Sequence, residues 1–190
     1  MTVTLERKPS EVEERIPPLP ELRGLSPRRS LLLLVAGVLA ITVGLGSVIG
    51  GAVGIVYTWG QAVEQGIVTP EDASIPNTPV RGPFTMKAQA DIIEHHQLDR
   101  TGGLYYAEMP RQVQATDADG TLLFDDTGEP VMVNNDARTS WITATTLTTV
   151  LNLGIMAYAL GAFAIVVGLS LLASGIVFLV LRRTLAAAPA

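Results

Sequence analysis

His95 and His96 are the only histidines in this chain of 190 residues, and Asp91 and Asp99 stand four residues to either side of His95. Non-haem iron takes two imidazoles and one carboxylate facing an open position. Adjacent residues on a helix point about 100° apart, so His95 and His96 do not readily share one ion. Residues at i, i+4 do share a face, which pairs Asp91 with His95 or His95 with Asp99. Either pair is two ligands, and no third is placed by spacing. Asp91, His95 and His96 are thus the metal candidates, incomplete as a set, and no cofactor is expected. The stretches "DADG" and "DD" have the composition of a calcium loop without its acidic spacing, and hairpin turns account for them. Ser74 and Ser140 sit in no nucleophile elbow, and no phosphate loop or dinucleotide glycine pattern occurs. With no cysteine there is no disulfide, thiolate nucleophile or Cys-based metal site. No catalytic residue is assigned.

The elements that would position these groups are unusual. Leu31–Tyr57 and Ile142–Leu181 contain no charged residue. A bilayer core takes about 20 apolar helical residues, so each run can span it. A cleaved signal peptide fits the first run poorly, because its apolar stretch is too long and about 30 polar residues precede it. The fold class is therefore a membrane α-helical hairpin of two transmembrane helices, with a small α+β extracytoplasmic domain in the connecting loop. The divisions are a disordered cytoplasmic tail at 1–29, transmembrane helix one at 30–60, and the extracytoplasmic domain at 61–138. A long helix containing transmembrane helix two follows at 139–183, then a cytoplasmic tail at 184–190.

Charge sets the orientation. Arg28 and Arg29 abut the first run, and Arg182 and Arg183 abut the second. The segment from Gln61 to Val150 holds thirteen acidic residues against five basic ones. Lys and Arg favour the cytoplasmic side, so both termini are expected there and the loop outside, in a bacterial plasma membrane. An acidic exterior argues against nucleic acid as a partner. The partners expected are the lipid bilayer and other membrane-protein subunits.

Small residues recur on both apolar runs. The second carries Gly154, Ala157, Gly161, Ala164, Gly168 and Gly175, with Leu171 the one large member; the first carries Gly37, Ala40, Gly44, Ser47, Gly51 and Gly54. Glycine costs about 1 kcal/mol against alanine inside a helix. Lipid gives apolar side chains no reason to associate, whereas small residues let backbones approach closely. The stripes therefore read as two halves of one packing seam. With Arg29 and Arg183 at one depth, facing residue numbers sum to about 212, pairing Gly37 with Gly175, Gly44 with Gly168 and Gly51 with Gly161. Val38 and Ile165 are expected off the seam. A second face, Gly46-Gly50-Gly54, is left for another partner.

The second helix outruns the bilayer: 43 residues from Thr139 to Leu181 rise about 65 Å. Tyr57, Trp59 and Tyr158 fall at the outer boundary, and Trp141 becomes a core residue of the outer domain. Helix one can run on to a cap at Gly66. Within the loop, a helix is expected over Thr85 to Leu98, closed by Gly102-Gly103, with Met86, Ala90, Ile93 and Gln97 on one face. Asp119-Gly120 and Thr127-Gly128 mark the turns of a small hairpin or meander. Asn135 or Asp136 caps the last helix. "IPPLP" in the tail has polyproline II character, and "IVTPEDASIPNTPVRGPF" reads as irregular chain.

"FTMKAQADIIEHH", "GGLYYAEMPR" and "WITATTLTTVLNLGIMAYAL" together resemble an actinobacterial family of two-span membrane proteins. Its members are often labelled aromatic ring-opening dioxygenase small-subunit-like. The resemblance implies the two-span layout and, through the label, a ring-opening dioxygenase-like enzyme. The residues themselves point first to a non-catalytic accessory or assembly subunit of a larger complex, a respiratory one being a candidate. An extracytoplasmic ligand-binding or sensing protein is the alternative.

Overall fold

The computed structural model describes residues 26–186. The polyproline motif and nearly all of the expected disordered tail, and the last four residues, lie outside the described residues. The element order is α1 (Pro27–Glu64), α2 (Pro83–Arg100), β1 (Gln112–Gln114), β2 (Met132–Asn134) and α3 (Asp136–Ala186). Both α1 and α3 are long and apolar enough to cross a membrane. Each exceeds the span read from hydropathy for a local reason. Pro27 suits a first turn, whose N–H has no helical partner. The far end of α1 runs through polar residues to Gly66, whose N–H meets the Val63 carbonyl. At the start of α3, the Asn135 side chain accepts from the Arg138 N–H at 3.2 Å and so caps a helix beginning at Asp136.

The chain divides into two compact units, Met1–Thr42 with Leu172–Ala190, and Val43–Leu171. Among the described residues of the first, α1 and α3 meet at Gly37 and Gly175. A Cβ built on Gly175 would lie 2.8 Å from the Gly37 carbonyl oxygen. Arg182 Nε donates to Ser30 Oγ at 3.1 Å on the same register.

In the second unit, α2 packs across α1 and α3. Pro83 opens it, and the Thr85 hydroxyl accepts from the Gly82 N–H at 3.2 Å. Met86, Ala90 and Gln97 are buried and Ile93 partly so, as one face at helical spacing requires; Ala88 and Ile92 are buried as well. One core cluster joins Val80, Met86, Ala90 and Leu151, with Ala62, Ile155 and Tyr158 against it. A second joins Met109, Trp141 and Ala144. Full burial of a side chain such as Met86 is worth about 1.5–3 kcal/mol. Trp141 is 6% exposed and its indole N–H donates to the Leu104 carbonyl at 3.0 Å.

The meander is small and regular. β1 and β2 pair antiparallel, Val113 opposite Val133, and bridges join Thr116 to Leu122 and Phe124 to Pro130. Ala115, Leu123 and Val131, evenly spaced along the chain, close a ring of backbone bonds: Ala115 N–H to Val131, Val131 N–H to Leu123, Leu123 N–H to Ala115. The two intervening turns repeat the same chemistry. Asp117 Oδ1 accepts from the N–H groups of Asp119 and Thr121, and Asp125 Oδ1 from those of Thr127 and Glu129. Gly120 and Gly128 close these turns at φ +83°, where a Cβ would be strained. Two of the acidic residues that had the content of a calcium loop, Asp117 and Asp125, thus serve as Asx turns.

The segment before α2 is irregular in secondary structure yet tightly tied. Thr69, 1% exposed, is its hub. Its hydroxyl lies 2.5 Å from the Ile75 carbonyl and accepts from the Thr78 N–H at 2.9 Å.

Candidate functional site

The histidines lie on the exposed side of α2 and part company. His96 Nε2 is 2.6 Å from Asp72 Oδ2 of the preceding segment, whereas His95 Nε2 is 3.5 Å from Asp99. Asp91 bonds Lys87 one turn earlier. Of the two carboxylate pairings that spacing allows for His95, the structure forms the one with Asp99. Among the described residues, no group of three or more His, Asp or Glu side chains is placed to hold one ion. The hydrogen bond from His96 holds the Asp72 carboxyl below its ordinary value of 3.8. The Asp125 carboxyl is held down in the same direction by the Thr127 hydroxyl and the turn N–H groups. Both are surface carboxylates stabilised as anions by local donors.

The seam residues sort into three groups. In the second unit, Gly168 lies against Gly44 and Gly161 against Gly51, each pair numbering 212, and Gly37 with Gly175 does so in the first. A Cβ on Gly51 would stand 2.5 Å from the Gly161 carbonyl oxygen, and one on Gly168 would stand 2.6 Å from that of Gly44. Gly154 differs: its neighbour is the Met86 sulfur at 2.8 Å, so this glycine admits α2 rather than α1. Gly54 differs too, since a Cβ there meets nothing within 4 Å. Ser47 is half-buried. Ile165, expected off the seam, stands 2.9 Å from the Cβ position of Gly51 and forms the seam's wall. Val38 is exposed. Gly46 and Gly50 share the open character of Gly54.

A cavity of about 440 Å³ opens in the second unit where α1, α2 and α3 converge. Its wall includes Ala62, Val80, Met86 and Leu151, together with Gln61, Gln65 and Gln89. The Gln89 Oε1 atom is buried with no hydrogen-bond partner. Sequence reasoning placed Met86 on the buried face of α2 but missed Gln89, three residues along and without any motif to mark it. Toward the C-terminal end of α2, Gln97 on the same face donates to Ser140 Oγ at 2.6 Å, and Arg138 of α3 stacks 3.7 Å over the Tyr106 ring.

No family model, curated protein or solved structure matches the chain.

Proposed function

We propose that this protein is a non-catalytic accessory subunit of a larger bacterial membrane complex, spanning the bilayer twice with the segment between α1 and α3 outside. The observation that carries the reading is the contrast between two glycine faces. At Gly51, Gly161, Gly168 and Gly175 an added Cβ collides with the opposite helix, whereas at Gly46, Gly50 and Gly54 it meets nothing within 4 Å. A small-residue face that is open within the chain is the kind of surface a further membrane helix uses. Lipid is the natural solvent for the other outward residues. Leu32, Val56, Met156 and Leu160 are each at least 66% exposed, an arrangement water would penalise.

The test is purification of tagged protein from native membranes in mild detergent. Stoichiometric co-migration with larger subunits is expected, and Gly50→Leu should weaken it while leaving the helix content unchanged. A chain that migrates alone, with or without the substitution, contradicts the reading. The cavity favours a second reading, a ligand-binding membrane protein, which is compatible with an accessory role. The dioxygenase-like activity implied by the family resemblance would need His95, His96 and Asp91 to leave their present partners and gain a further ligand.

A further inference from the structure

From the cavity between α1, α2 and α3 we infer that the protein binds a neutral amphiphile, an apolar chain carrying a hydroxyl, with the hydroxyl donating to Gln89. The inference rests on the membrane-spanning part of the reading above and not on the accessory role. Four observations specify this occupant. The volume, about 440 Å³, lies within the range of small-molecule sites, about 300–1,000 Å³. Most of the lining is aliphatic or methionine, contributed by Ile67, Val80, Met86, Ile93 and Leu151 among others, which suits a hydrocarbon body. No lining residue is ionisable, so a charged head would lose its hydration without gaining a partner. Gln89 lines the cavity, and its Oε1 is buried without a partner, an unmet acceptor that a hydroxyl in the cavity satisfies once the side-chain amide turns toward it.

Position supplies the route. Thr58 lines the cavity just past the end of the first apolar stretch, next to the exposed Tyr57 and Trp59 of α1, and Gly154 lines it one turn outside Tyr158 on α3. Val150, 62% exposed, also lines it. An amphiphile held at the membrane boundary can therefore enter chain first without crossing water. A fatty acid would bring a carboxylate to a site with no cation. A molecule lacking O–H and N–H would leave Gln89 unmet.

The experiment uses the full chain in phosphatidylcholine nanodiscs. The probe is a monoacylglycerol with a photoreactive diazirine in its acyl chain, beside its glycerol dimethyl ether and the matching fatty acid. Saturable labelling is expected at Met86, Ile93 and Leu147, with about fivefold weaker labelling by the ether and by the acid. Gln89→Leu should abolish the preference over the ether, and Val150→Trp, which fills the mouth, should cut labelling by the alcohol several-fold. Diffuse, non-saturable labelling along the exposed faces of α1 and α3 would overturn the inference, as would equal labelling by ether and alcohol. A chain recovered outside the lipid fraction would overturn the membrane reading and this inference together, whereas an inserted chain that labels diffusely overturns this inference alone.

Discussion

At Gly51 the space for a side chain is already occupied by the Gly161 carbonyl and the Ile165 side chain. Gly51→Leu should therefore destabilise the protein by about 1–3 kcal/mol, the usual range for overpacking, read as a lower midpoint of thermal unfolding in detergent. Gly46→Leu, facing open space on the same helix, gains helix propensity without a packing cost and should not lower that midpoint. The two substitutions are chemically identical, so a difference reports packing and not helix propensity. Trp141 offers a polar counterpart. Trp141→Phe keeps an aromatic ring in the core but removes the donor to Leu104, and should cost about 1 kcal/mol by chemical denaturation. Trp141 was legible in the sequence because the helix it sits on is too long for a bilayer, which places its indole among the loop elements. The unpaired oxygen of Gln89 was not legible. Its isolation depends on where three helices converge, which spacing along one helix does not encode.

At the scale of elements, the helices follow directly from their sequences. Uncharged runs with an arginine pair at the end near the chain terminus, a proline at Pro27, an Asn135 cap and Gly66 past the end of α1 each carry a local physical cause, and the helix bounds differ from the hydropathy reading by only a few residues. The meander turns were legible for the same reason, since Asp-Gly and Thr-Gly favour positive φ at the glycine. The ring of bonds through Ala115, Leu123 and Val131 was not, because backbone pairing among three short stretches leaves no side-chain signature. The segment before α2 reads as irregular chain, and its order depends on one buried threonine and on Asp72 meeting His96 across 24 residues. That last contact makes a pH prediction. The Asp72 carboxyl is held below 3.8 in the folded protein, so its contribution is fully present above that value. It is lost as pH falls through the lower folded-state value. Protection of the amides in residues 67–80, taken relative to their intrinsic exchange rate, should therefore hold at pH 5 and fall below about 3.8, the ordinary Asp value. In Asp72→Asn the acid-dependent step should be absent; its persistence would assign the step to another group.

For the molecule as a whole, the central claim is that the segment between α1 and α3 lies on one side of a bilayer and the ends on the other. The absence of cysteine makes a direct measurement simple, because any single cysteine introduced is the only thiol present. Asp119→Cys places a thiol in an exposed meander turn, and Thr184→Cys places one at the exposed end of α3. Intact cells are treated with a membrane-impermeant maleimide before and after permeabilisation. With the loop outside, the thiol at position 119 is labelled in intact cells and the thiol at position 184 only after permeabilisation. Labelling of position 184 in intact cells, or protection of position 119, would contradict the two-span reading with cytoplasmic ends.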